Sequence, residues 1–225
     1  MTRATRMLIG VDLDGTLEDS RDDMVAAAVR VRAELGLPQR QDALLRPWVN
    51  AGMDRLYRAC FDDYLAQGDA SERLCTVREA YEADYLAHVA VSTRLYDGMA
   101  EALQALLRLG ALACVTNKPE RISRKLLDAL GVGSLFRAVI GGDSCAQCKP
   151  DPVMLRAAAE VCGFAPEHGR AFMIGDTAGD LRLARAFGAT GVWCAWGYVA
   201  ALGASDPVPD AVARAPAELP VIVAP

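Results

Sequence analysis

Met7-Leu8-Ile9-Gly10-Val11-Asp12-Leu13-Asp14-Gly15-Thr16-Leu17-Glu18-Asp19-Ser20 decides how the rest of the chain is read. Its first five residues are apolar and suit a short buried strand. Two carboxylates, two residues apart, follow that strand. Like charges repel, and an apolar strand end desolvates them, so the pair is costly to keep. A divalent cation would neutralise both and fix their geometry. The plainer reading is an ordinary strand-to-turn junction, since Asp and Gly are common turn residues. Three further stretches weigh against it.

Ala111-Leu112-Ala113-Cys114-Val115 is a second apolar run, ending in Thr116-Asn117-Lys118-Pro119. Pro119 suits the first turn of a helix. Ala138-Val139-Ile140-Gly141-Gly142 is a third, followed by Cys148-Lys149-Pro150-Asp151-Pro152. Ala171-Phe172-Met173-Ile174 is a fourth, followed by Gly175-Asp176-Thr177-Ala178-Gly179-Asp180. The repeating order is buried strand, polar residues at or beyond its carboxyl end, then an amphipathic helix. In an open parallel α/β sheet, ligands bind outside the carboxyl ends of the strands. Asp12, Asp14, Thr116, Lys149 and Asp176 are therefore expected to converge on one crevice.

Residue type limits the chemistry of such a crevice. His88 falls in a helical stretch and His168 in a loop, and there is neither a GxSxG elbow nor a Walker-type glycine loop. Carboxylates, a lysine, a threonine and a divalent ion suit phosphoryl transfer, where catalysis is mostly positioning and charge stabilisation. One Asp can act as nucleophile, forming an aspartyl-phosphate that water then cleaves. The other can protonate the leaving oxygen and later deprotonate the water.

These four pieces, in this order, resemble the haloacid dehalogenase-like hydrolase superfamily. Its signature is DxDxT, a Thr or Ser after the second strand, a Lys before a helix, and GDxxxD. The resemblance covers nearly the whole chain. It is nearest in wording to the phosphoglycolate phosphatase branch, through Val115-Thr116-Asn117-Lys118-Pro119, Val139-Ile140-Gly141-Gly142-Asp143, Lys149-Pro150-Asp151-Pro152 and Trp196-Gly197-Tyr198. Trp48-Val49-Asn50-Ala51-Gly52-Met53-Asp54-Arg55-Leu56 is similar to that branch's cap loop, with Asn50 in place of a glycine. Asp151 stands where His is common.

The resemblance implies a role for each matching residue. Asp12 is the nucleophile. Asp14 is the general acid/base and offers its backbone carbonyl to the metal. Thr116 and the Asn117 backbone hold phosphoryl oxygens. Lys149 neutralises the nucleophile and the phosphate. Asp12, Asp14 and Asp176 form the metal site, with Thr16 and Asp180 supporting it from outside. Hard oxygen ligands favour Mg²⁺ over Zn²⁺. Asp14 also argues against halide displacement from carbon, which needs no proton donor for its leaving group.

The implied architecture is α/β: a Rossmann-like three-layer core with a parallel sheet and an inserted all-helical cap domain. Helical spacing over 21–35, 42–66 and 71–89, with no convincing strand, marks the insertion. The expected division is 1–16 and 93–225 for the core and 17–92 for the cap. Within the core, helices are expected over 99–110, 120–131, 152–163 and 179–187, and a last strand over 190–195. A cap excludes water and supplies substrate contacts. Arg55 is the cap's candidate for binding a substrate carboxylate, with Arg21 a weaker one. Arg55 reads equally as a solvated helix arginine.

The 225 residues are 52% hydrophobic and 24% charged, an ordinary globular balance with room for a core and a small second domain. The net charge of −5, with no basic stripe, makes nucleic acid a poor partner. No stretch suits a transmembrane helix, and a cleaved leader would remove Asp12, so neither membrane nor export is expected. Seven cysteines, an odd number, suit reduced thiols in the cytoplasm. Cys145-Ala146-Gln147-Cys148 lacks a second Cys or His pair to complete a zinc site and reads as two incidental thiols.

The combined expectation is a Mg²⁺-dependent phosphatase, monomer or homodimer, acting on a small phosphorylated metabolite, foremost 2-phosphoglycolate. A sugar or nucleotide phosphatase and a phosphoglucomutase are the alternatives within the superfamily. A non-catalytic binding protein on the same fold is the alternative outside it, although clustered carboxylates give a scaffold no stability.

Overall fold

The structure, a computed structural model, describes residues 6–49 and 52–224. Asn50 of the expected cap loop lies outside them. The chain divides into two compact units: residues up to Asp19 and from Leu95 onward, and Ser20–Arg94.

The first unit opens with β1 (Met7–Val11). The second holds α1 (Arg21–Glu34), α2 (Asp42–Val49), α3 (Met53–Cys60), α4 (Asp62–Leu65) and α5 (Ala70–Ala87). The first then resumes with α6 (Met99–Leu107), β2 (Ala111–Val115), α7 (Glu120–Ala129), β3 (Phe136–Ile140) and α8 (Val153–Cys162). It ends with β4 (Arg170–Gly175), α9 (Ala178–Phe187), β5 (Thr190–Cys194), β6 (Ala211–Ala213) and α10 (Leu219–Val223). Two-residue strands, Glu18–Asp19 and Arg94–Leu95, flank the helical unit in sequence.

The six labelled strands form one parallel sheet in the order β3-β2-β1-β4-β5-β6. The chain runs outward from β1 to β3, then crosses back to β4 on the other side of β1. That reversal opens a crevice at the carboxyl ends of the central strands. Val11 pairs with Cys114 of β2 and Ile174 of β4, so these three strands end nearly level.

A parallel sheet is covered on both faces, which is why its strands are apolar without alternation. Leu8, Ile9 and Val11 are fully buried. Leu8, Ala113, Val115 and Met173 pack with Met154 and Leu155 of α8 and Leu183 of α9. Right-handed crossovers place the helices of the outward and return halves on opposite faces. α6 and α7 bury Leu103, Leu106, Ile122, Leu126 and Leu127. Each fully buried side chain of this kind contributes roughly 1.5–3 kcal/mol.

The expected core helices and last strand correspond to α6, α7, α8, α9 and β5. β6 and α10 were not expected: at three and five residues they are too short to show a period. The helical stretch over 42–66 is three helices. Gly52, at φ +91°, starts α3 in a conformation that favours glycine. Phe61 then separates α3 from α4.

The helical unit has its own core. Tyr57, Tyr81 and Tyr85 are buried, Tyr57 edge-on to Tyr81 at 5.4 Å between centroids. The Tyr81 hydroxyl donates to Met24 O at 2.9 Å. The guanidinium of buried Arg32 donates to Cys60 O, Pro38 O and both oxygens of Asp63. Among the described residues, no helix is long and apolar enough to cross a membrane.

Candidate active site

Asp12 extends β1 by one residue, its N–H donating to Ile174 O at 2.9 Å. The chain then folds into a tight loop, with Thr16 N and Leu17 N donating to Leu13 O. The Asp12 carboxylate, 5% exposed as a residue, accepts from Leu13 N at 2.7 Å. Its Oδ1 lies 2.6 Å from Lys149 Nζ.

Lys149 precedes α8, and its backbone is clamped by the amide side chain after β2. Lys149 N donates to Asn117 Oδ1 at 2.9 Å, and Asn117 Nδ2 donates to Lys149 O at 3.4 Å. The Lys149–Pro150 peptide is cis. Lys149 Nζ also donates to Asp180 Oδ1 at 2.8 Å. The other Asp180 oxygen accepts from Thr177 N and Thr177 Oγ1, while Thr177 Oγ1 caps Asp180 N. Asp180 thus belongs to the capping box that starts α9 and also aims Lys149 at Asp12.

Asp176, fully buried after β4, is gripped by backbone from a distant loop. Tyr198 N donates to its Oδ2 at 2.7 Å, and Thr16 Oγ1 lies 3.5 Å from its Oδ1. Two glycines admit this carboxylate. A Cβ on Gly15, at φ +81°, would sit 2.6 Å from Asp176 Oδ2, and one on Gly197 would sit 2.2 Å from Asp176 Cβ. Trp196 Nε1 donates to Thr16 O and Trp193 Nε1 to Asp176 O, joining the β5 end to the loops after β1 and β4.

The electrostatics follow from burial. Desolvation pushes the Asp12 carboxyl well above its ordinary range; Lys149 opposes this, and Asp180 and Asp176 add to it. Burial, then the Asp180 charge, push Asp176 up to about 6. Burial pulls Lys149 down, but Asp12 and Asp180 outweigh it and hold the ammonium charged. Asp12, Asp176 and Asp180 each offer an oxygen, and these lie within 4.8 Å of one another. Buried carboxylates so close, all hard oxygen donors, fit a divalent cation of the Mg²⁺ type.

Asp14 lies outside that cluster in its side chain. Its Oδ1 is 2.5 Å from Nζ of Lys118, a lysine only 3% exposed. Thr116 is buried, its N–H on Ile140 O and its Oγ1 accepting from Lys118 N at 3.2 Å. Arg55 is exposed on α3 of the helical unit, and so is not among the residues gathered by the core strands. Lys118 and the Tyr198 backbone were missed as site groups. Lys118 could have been found: like Lys149, it is an ammonium in the polar stretch between a buried strand and a helix. The Tyr198 N–H carries no side-chain signal. All seven cysteines are free, and exposed Cys148 places Sγ 3.1 Å from Gly142 O.

Comparison with known proteins follows the same lines. The sequence model described as haloacid dehalogenase-like hydrolase matches residues 7–188. A phosphoglycolate phosphatase of Nitrosococcus oceani is 36% identical over 207 residues, 91% of each chain. One of Pseudomonas putida is 35% identical over 192 residues, 85% of this chain and 70% of that protein. The crystal structure of a predicted phosphoglycolate phosphatase from Haemophilus somnus superposes with a TM-score of 0.81 at 28% identity, over 96% of both chains. With the family model spanning most of the chain and relatives this similar over most of its length, the protein belongs to the haloacid dehalogenase-like hydrolase family.

Proposed function

We propose that this protein is a Mg²⁺-dependent phosphatase that hydrolyses 2-phosphoglycolate to glycolate and phosphate through an aspartyl-phosphate. The observation that carries the reaction class is the pairing of Lys149 Nζ with Asp12 Oδ1 at 2.6 Å beside buried Asp176. The substrate reading is supported by the relatives named phosphoglycolate phosphatase.

In the proposed mechanism an Asp12 oxygen attacks phosphorus, and the bond from phosphorus to the leaving oxygen breaks. Asp14 delivers its proton to that oxygen, so glycolate leaves as the alcohol. Water then attacks the phosphoryl group while Asp14 takes its proton, and the Asp12–phosphorus bond breaks to restore the carboxylate. Lys149 balances the charge that passes between Asp12 and the phosphoryl oxygens. Thr116 and Asn117 hold those oxygens in line. Asp12, Asp176 and the Asp14 carbonyl would hold the cation, with Thr16 and Asp180 outside them. When bound, Mg²⁺ supplies positive charge to a phosphoryl oxygen. The expected cap, residues 17–92, is represented in the structure by the unit Ser20–Arg94, which would act as the cap with Arg55 its contact to the substrate.

Phosphate release from 2-phosphoglycolate tests this reading. Turnover should vanish in excess EDTA and return with Mg²⁺. Asp12→Asn should lower kcat by roughly a thousandfold or more with the fold retained. Full activity in chelator, or wild-type turnover in Asp12→Asn, would overturn it.

A further inference from the structure

Lys118 is a buried ammonium that the mechanism above does not use. Its backbone is fixed on both sides: N–H on Thr116 Oγ1 at 3.2 Å, and carbonyl accepting from Gly142 N at 3.0 Å. At the end of the side chain, Nζ meets Asp14 Oδ1 at 2.5 Å.

We propose that Lys118 also reads the carboxylate of the substrate, which makes it a specificity-determining residue on the core; this rests on the reading of the protein as a phosphatase for a two-carbon phosphorylated acid. To be protonated by Asp14, the leaving oxygen must come within about 2.6–3.2 Å of that carboxyl. In 2-phosphoglycolate the carboxyl carbon is two bonds from the leaving oxygen. Ordinary bond lengths put its oxygens roughly 3–4 Å from that atom. A cation in contact with Asp14 therefore stands where the substrate carboxylate arrives.

Charge points the same way. The carboxylates of Asp12, Asp14, Asp176 and Asp180 already crowd this end of the sheet, and Lys149 is turned to Asp12 and Asp180. A further carboxylate brought to this end of the sheet adds to that negative charge unless a cation accompanies it. Lys118 is that cation.

The test compares kcat/KM of wild type, Lys118→Met, Lys118→Gln and Lys118→Arg on three substrates. These are 2-phosphoglycolate, ethyl phosphate, which has the same carbon chain without the carboxylate, and p-nitrophenyl phosphate. The neutral variants should lose roughly ten- to a hundredfold more on 2-phosphoglycolate than on ethyl phosphate, with a rise in KM. Lys118→Arg should recover part of that difference. Melting curves identify any variant that fails to fold, and the remaining neutral variant then decides. Equal losses on 2-phosphoglycolate and ethyl phosphate overturn the proposal, leaving Lys118 as a positioning residue for Asp14. An unchanged 2-phosphoglycolate rate also overturns it. If wild type hydrolyses p-nitrophenyl phosphate but not 2-phosphoglycolate, the substrate reading falls, and the proposal with it, before any variant is made.

Discussion

Lys118 Nζ lies 2.5 Å from Asp14 Oδ1, while Lys149 Nζ lies 2.6 Å from Asp12 Oδ1. Each carboxylate of the Asp12–Asp14 pair thus has its own ammonium, and both lysines are almost fully buried. Adjacent carboxylates that share one cation compete for it; separate cations let them take different environments and different roles.

Different roles predict different responses to the leaving group. Asp14→Asn removes a proton donor that alkyl phosphates need and p-nitrophenyl phosphate does not. kcat on 2-phosphoglycolate should fall by about 10²–10⁴, and by a clearly smaller factor on the aryl ester. Steady-state rates on both substrates check this. Equal losses would count against the acid/base role.

Arg55 is the helical unit's candidate for the far end of the substrate. Arg55→Ala should lower kcat/KM on 2-phosphoglycolate by roughly ten- to a hundredfold, and by at least several-fold less on p-nitrophenyl phosphate. Equal losses on the two esters would assign Arg55 to the structure of its own unit.

Asp63 holds buried Arg32, and the Arg32 hydrogen bonds, opposed by partial burial, keep its carboxyl below the ordinary value. Asp63→Asn leaves a buried guanidinium without its counter-charge, at a cost of about 3 kcal/mol. The melting temperature at pH 7 should drop by roughly 5–10 °C. The folded carboxyl titrates below the unfolded one, so its stabilisation is complete above about pH 4 and is lost as pH falls through the folded value. The gap between wild type and Asp63→Asn should therefore narrow near pH 3, which calorimetry at the two pH values checks. A gap independent of pH would remove the ion pair as its cause.

Gly197 admits Asp176 to its place. An alanine Cβ there would lie 2.2 Å from Asp176 Cβ and 2.6 Å from Gly15 O, a backbone atom with little freedom to move. Gly197→Ala should cost about 1–3 kcal/mol from overpacking, and weaken metal-dependent turnover by displacing the Asp176 carboxylate. Thermal melts and the Mg²⁺ concentration for half-maximal rate check both. Wild-type values for both would show that the loop relaxes around the methyl group.

The apolar runs at Met7, Ala111 and Ala171 needed no structure to be read as buried strands of a parallel sheet. Burial on both faces writes itself into local composition, and the helices between them carry their own period. Polar residues at the ends of those runs marked the side of the sheet where chemistry gathers. Local pattern stops there. β6 and α10 are too short for a period, and the three-helix break within 42–66 turns on Gly52 and Phe61. Which lysine meets which carboxylate is set only when the strands align. Lys118 and Asp14 are 104 positions apart, and Thr16 and Asp176 are 160 apart. The grip of Tyr198 N on Asp176 comes from a backbone group every residue but proline has, so side-chain identity cannot announce it. Residue types therefore determined the kind of fold and the kind of chemistry. Tertiary structure assigned the partners, because ion pairs and hydrogen bonds act over a few ångströms whereas their members lie far apart along the chain.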